Sequence, residues 1–106
     1  MKTPGALEVD VLLAVAQHAD EAYGLLVREK VSGVRGRQYS VGAIYTTLSR
    51  LEAKGLLSSR TTEPLPIRGG RSRRQYRLTA AALTVLATER ERTLRRWTGE
   101  PQWGHA

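Results

Sequence analysis

The sequence predicts a mainly α-helical domain carrying one small β-hairpin just before its last helix. Two observations support this. Four stretches repeat apolar residues every three or four positions, whereas "LLSSRTTEP" and "RRQYRL" alternate them. Capping residues and glycines also fall where those helical stretches should start and stop.

The first helix is "TPGALEVDVLLAVAQH", with Thr3 as its cap and Pro4 in the first helical position. Leu12, Val15 and Ala16, with Leu13 and Val9 beside them, form a wide apolar face. His18 ends this helix, where a cation is favoured. The second helix is "DEAYGLLVREKVSG", capped by Asp20, with Glu21 complementing its positive end and Gly33 stopping it. Its buried side reads Ala22, Tyr23, Leu26, Val27 and Lys30 or Val31. Gly24 costs about 1 kcal/mol against alanine inside a helix, which points to a close helix–helix approach there.

After "VRGRQY", a loop with a very short strand, comes "SVGAIYTTLSRLEAKG". Ser40 caps this third helix and Gly55 ends it. At about 100° per residue, Val41, Ile44, Tyr45, Leu48 and Leu51 share one sector. The opposite sector holds Gly42, Ala43, Thr46, Thr47, Arg50, Ala53 and Lys54. A solvated face ordinarily carries Glu and Lys pairs; this one is small and hydroxylated at its start and basic further along. The two alternating stretches form an antiparallel hairpin, with Tyr76 and Leu78 on its core side and Arg73, Gln75 and Arg77 on the other. Between them "EPLPIRGGRS" is too long and irregular for a tight turn and reads as a projecting loop. The last helix, "TAAALTVLATERERTLRRW", is capped by Thr79, and "TGEPQWGHA" follows as a frayed tail.

Charge is unevenly placed. The chain carries a net +7, yet residues 1–27 sum to −3, residues 28–77 to +9 and residues 78–106 to +1. A basic middle between near-neutral ends is the footprint of a polyanion partner, or else a solvated basic surface. Five arginines, Arg68, Arg71, Arg73, Arg74 and Arg77, crowd into ten positions beside Gly69 and Gly70. With no cysteine and only two histidines, disulfides and a metal site are not expected. No apolar run approaches the roughly 18 residues of a membrane span, and the N-terminus lacks the apolar centre of a signal peptide, so the cytoplasm is the expected location.

Helix, helix, short strand, helix, strand, basic loop, strand, helix is the order of a winged helix-turn-helix. The division expected is residues 1–78 for this DNA-binding domain, 79–98 for a C-terminal dimerisation helix and 99–106 for the tail. In such a domain residues 40–54 form the recognition helix and residues 63–74 the wing. A small-faced helix sinks into a major groove, where Thr46, Thr47 and Arg50 reach base edges or phosphates beside Gly42 and Ala43. Ser40 meets a phosphate through its backbone amide. Tyr45, at the edge of the apolar sector, either joins the core or offers its hydroxyl to phosphate. Arg68, Arg71, Arg73 and Arg74 neutralise phosphates from the wing, and Arg35 and Arg37 are placed to touch the backbone.

"AYGLLVREK", "SVGAIYTTLSRLEAKGLL" and "GGRSRRQYRLTAAAL" together resemble the PadR family of bacterial transcriptional regulators over about residues 5–95. Thr46 stands where that family often has a proline after the tyrosine. The resemblance implies a homodimer joined through the C-terminal helix, binding a palindromic operator and repressing transcription. On this helix Leu83, Leu86 or Ala87, Leu94 and Trp97 recur near heptad spacing, interrupted by Arg90, and these residues are the expected dimer interface. The resemblance also implies, for some members, control by a planar aromatic effector near that interface. Trp97 and Trp103 are the available stacking surfaces, but dimer packing is the favoured role of Trp97. No other cofactor is expected.

Two other readings compete. A winged helix serving as a protein-interaction module conflicts with the basic wing, because interface cores are depleted in charge. A small RNA-binding protein conflicts with the lack of exposed aromatics for base stacking. An enzyme is not expected: there is no nucleophile–base pair, and "GVRGRQYS" lacks the lysine of a phosphate-binding loop.

Overall fold

Four helices and one two-stranded hairpin make up the computed structural model, which describes residues 5–18, 22–62 and 73–98, with the side chains of Trp97 and Thr98 excepted. The elements are α1 (Ala6–His18), α2 (Gly24–Arg35), α3 (Val41–Ala53), β1 (Leu57–Thr61), β2 (Arg74–Leu78) and α4 (Ala80–Thr98). The expected caps Thr3 and Asp20, Pro4, Glu21, the loop tip with Arg68, Gly69, Gly70 and Arg71, the tail with Trp103 and the Trp97 side chain lie outside the described residues.

α1, α2 and α3 pack on one another, and the hairpin closes their open side. The core gathers Val11, Leu12 and Val15 of α1, Val27 and Val31 of α2, Ile44, Leu48 and Leu51 of α3, and Tyr76 of β2. α1 turns Val11 and Ala14 inward with Leu12 and Val15, whereas Leu13 and Ala16, expected on the buried face, are exposed. The face that wins is the one shared by α2, α3 and β2.

α2 starts at Gly24 because the residues before it are held in an extended conformation. Tyr76 N–H donates to the Ala22 carbonyl at 2.9 Å, and Tyr23 bridges antiparallel to Gln75. Tyr23, at φ −90° and ψ 152°, is thus the N-cap residue without a side-chain cap. The short strand expected in "VRGRQY" is absent there; its place beside the hairpin is taken by residues 22 and 23. Gly33 does not stop α2. The helix runs two residues further, to Arg35, and ends where Gly36 adopts φ 67° and returns its N–H to the Ser32 carbonyl. A side chain at Gly36 is strained by that left-handed conformation, whereas Gly33 is helical and a Cβ there would meet open space. Gly36→Ala is therefore expected to destabilise by about 1 kcal/mol and Gly33→Ala to stabilise by a similar amount. Thermal melting of the two variants should move by about 4–8 °C in opposite directions, and shifts of the same sign overturn this assignment of the stop.

α3 begins and ends where expected. Ser40 Oγ accepts from Ala43 N–H at 3.0 Å. Gly55, at φ 77°, closes the far end, with its N–H on the Glu52 carbonyl and that of Leu56 on the Leu51 carbonyl. β1 and β2 pair antiparallel with Leu57 opposite Leu78, Ser59 opposite Tyr76 and Thr61 opposite Arg74. Gln75, expected to face outward, is only 2% exposed. It lies next to the Tyr23 bridge and accepts from Arg60 Nε at 2.9 Å, so its amide is satisfied in place. Thr79 caps α4 by accepting from Ala82 N–H and ties it to the turn after α3 by donating to the Gly55 carbonyl at 2.7 Å. Ala82 enters the core, and Val85 and Leu86 rest on it.

Candidate nucleic-acid interface

The recognition-helix candidate is rotated relative to its expected setting. Ile44, Leu48 and Leu51 are fully buried, but the buried stripe continues to Thr47 rather than to Val41 and Tyr45. Thr47 is 7% exposed and donates its hydroxyl to the Ala43 carbonyl at 2.8 Å. It is therefore removed from the set of groove-reading side chains. Its burial follows from its position beside Leu51 and Ile44 on the helical wheel, where a threonine satisfies itself against its own backbone. The exposed face instead runs from Val41 and Tyr45 through Gly42, Ser49 and Thr46 to Arg50, with Ala43 half-buried at its margin and Ser40 exposed at its start. Val41, expected on the core side, is 44% exposed, and Ser49 was assigned to neither face. Ser49 was legible, since it lies between Tyr45 and Gly42 on the wheel.

Tyr45 is 39% exposed and lies across the first residue of α2. A Cβ on Gly24 would come within 2.5 Å of its ring and hydroxyl, so the close approach expected at Gly24 exists, at the start of α2 rather than in its middle. Beside it, the Arg73 guanidinium stacks 5.1 Å from the centre of the Tyr23 ring. The contacts Tyr45–Gly24 and Tyr23–Arg73 thus join the exposed side of α3 to the root of the hairpin loop across the start of α2.

Arg74 is not in the loop but begins β2, and its Nε donates to Ser59 Oγ at 2.9 Å. Burial pushes the Tyr76 hydroxyl above the usual tyrosine range; the charge of Arg74 pulls it down, and Glu52 and Tyr45 push it further up. Glu52 and Arg74 both hydrogen-bond to Ser59, which stands opposite Tyr76, where α3 meets the hairpin. Arg37 stacks on Tyr39 at 4.8 Å, and Arg28 Nε donates to the Tyr39 carbonyl at 2.6 Å.

Two other cations are already paired. Arg35 forms an ion pair with Asp10 of α1, which raises its pKa further. Lys54, expected on the outer face of α3, is paired with Glu8 at 2.7 Å. That hydrogen bond, opposed by burial and helped by the Gly5 N–H and the charges of Lys54 and Arg50, holds the Glu8 carboxyl below the usual carboxylate range. Arg50 itself is exposed.

The expected interface residues divide. Leu86, Ala87, Arg90 and Leu94 line one apolar groove of about 490 Å³, but Leu83, which is exposed, does not. Val9 and Leu13 of α1 form the groove's other wall and were missed from sequence, where both were assigned to the first helix's core face. Among the described residues no group of His, Cys, Asp and Glu is placed to hold a metal ion, and no helix is long and apolar enough to cross a membrane.

Three packed helices with a hairpin closing their open side, and a third helix whose small-residue face is exposed, define a winged helix-turn-helix protein. The profile of the transcriptional regulator PadR-like family matches residues 12–88, and the chain belongs to that family. It is 38% identical over 82 residues to the transcriptional regulator Rv3488 of Mycobacterium tuberculosis, covering 76% of this chain and 72% of the relative. A PadR-like transcription factor from Bacteroides fragilis superposes with a TM-score of 0.67 at 27% identity, covering 86% of this chain and 82% of that one. RosR of H. salinarum shares the fold, with a TM-score of 0.72 at 22% identity over 94% of this chain and 83% of its own. The protein is thus a transcriptional regulator rather than an enzyme.

Proposed function

We propose that this regulator is a repressor that binds a palindromic operator as a homodimer, with α3 in the major groove and the loop between β1 and β2 along the DNA backbone. The observation that carries the reading is the continuity of Tyr45, Gly24, Tyr23 and Arg73, which sets the exposed face of α3 and the root of the wing on one side. Thr46 and Arg50 read base edges, while Ser40, Gly42 and Ala43 let the helix start approach closely. Tyr45, Arg73 and Arg74 contact phosphates, joined by Arg68 and Arg71 from the loop. Two copies related by a two-fold axis present their α3 helices to successive major grooves about 34 Å apart. The copies meet through α4 and the groove it forms with α1. That interface is also where a planar aromatic effector would enter.

Selection from a pool of random duplexes should recover a palindrome. On the selected site, Thr46→Ala combined with Arg50→Ala should weaken binding by about 30-fold or more, because two base contacts worth about 1–3 kcal/mol each are lost. Random duplex should lose far less, since only one cation per protomer is removed. Equal losses on both would refute base reading by these two residues.

A further inference from the structure

Arginines that meet an external anion have to be held in place without being neutralised. Arg35 and Lys54 fail that requirement, because each contacts a carboxylate directly. Arg74 meets it through an intervening hydroxyl. Ser59 Oγ donates to Glu52 Oε2 at 2.8 Å and accepts from Arg74 Nε at 2.9 Å. A serine hydroxyl has one hydrogen, so committing it to the carboxylate leaves only lone pairs for the guanidinium and fixes the direction of the relay. Glu52 belongs to the last turn of α3, Ser59 to the middle of β1, and Arg74 opens β2 opposite Thr61, at the root of the wing. Ser59 and Arg74 share the hairpin face of Tyr76, and Glu52 lies seven residues after Tyr45 on the same side of α3. The relay therefore crosses the seam between helix and wing, and it uses one of the five N–H donors of Arg74, leaving the four on its Nη atoms.

We propose that Ser59 and Glu52 are positioning residues for Arg74, holding its Nη donors at the seam between recognition helix and wing so that they receive a DNA phosphate. This rests on the DNA-binding reading above. Neither residue is expected to touch DNA. Both act by orienting a guanidinium that Glu52 reaches only through the Ser59 hydroxyl.

The experiment is fluorescence anisotropy of the full chain with a random-sequence duplex across a salt series. Arg74→Ala should weaken binding about tenfold and reduce the magnitude of the log–log salt slope by about one per protomer. Ser59→Ala and Glu52→Gln should each cost about threefold, and Ser59→Thr, which keeps the hydroxyl, should restore wild-type affinity. In the Arg74→Ala background Ser59→Ala should cost nothing more, because a residue acting only through Arg74 has nothing left to orient. An undiminished Ser59→Ala loss in that background, or a Ser59→Thr variant as weak as Ser59→Ala, overturns the proposal. So does wild-type affinity in Arg74→Ala, which would leave the DNA reading standing. Failure of that reading shows separately, as a wild-type protein without salt-dependent duplex binding, and removes both. Should Ser59→Ala fold poorly, Glu52→Gln alone and in the Arg74→Ala background reads the same coupling.

Discussion

Leu48→Ala is expected to destabilise the protein by about 3 kcal/mol, enough to remove a large share of the roughly 5–15 kcal/mol available to a domain of this size. Leu48 is fully buried between two equally buried residues of its own helix, Ile44 and Leu51, and belongs to the core that joins α1, α2 and the hairpin. Truncation loses the transfer free energy of the side chain and leaves a cavity that three packed helices and a hairpin cannot readily close. The effect extends to function, because the opposite face of the same helix is the candidate reading surface. Urea denaturation at one fixed protein concentration should show a lower midpoint with an unchanged slope. Ser49→Ala, on the adjacent exposed position, should stay within about 0.5 kcal/mol of wild type. Similar losses for both would mean that α3 is seated differently.

That contrast between neighbours shows what local pattern reveals and what it leaves out. Ser40, Gly55 and Thr79 were legible as helix boundaries because a cap or a left-handed stop acts within a few residues of itself. The hairpin was legible because its two strands alternate on their own. The turn of α3 about its axis was not, since apolar spacing at Val41, Ile44, Tyr45, Leu48 and Leu51 fits two adjacent settings. Packing on the neighbouring elements chose the one that buries Thr47 and leaves Tyr45 over Gly24. The same holds at Tyr23 and Gln75. A capping aspartate predicted an earlier start for α2, but the free edge of β2 recruited residues 22 and 23, and that bridge set both the helix start and the burial of Gln75. Of the candidate contacts, Lys54 and Arg35 were counted as available cations because their partners, Glu8 and Asp10, are distant in sequence. Charge totals do not distinguish a paired cation from an unpaired one.

Leu13→Glu combined with Leu94→Glu is expected to convert the proposed dimer to monomers and to weaken operator binding by about 100-fold or more. Leu13 is 45% exposed and Leu94 49%, and both line the groove between α1 and α4, whose other apolar members include Val9, Leu86 and Ala87. Single exposed leucines are ordinary, but two facing one apolar groove form a patch suited to a partner surface. A two-fold contact brings the same patch from both copies together, so each substitution is introduced twice and places like charges in a desolvated interface. Because the side chains lie on the outside of the single chain, the fold should survive, with cooperative melting retained. Operator affinity falls for a different reason. A dimer engages its second half-site at an effective local concentration, a gain of about 10²–10⁴ that separate monomers lose. Light scattering should therefore report the mass of one chain, and binding to a full palindrome should drop to the level of an isolated half-site. A variant that remains dimeric would move the interface away from this groove. A variant that is monomeric yet binds the full site as tightly as wild type would show instead that the two half-sites are not read by one assembly.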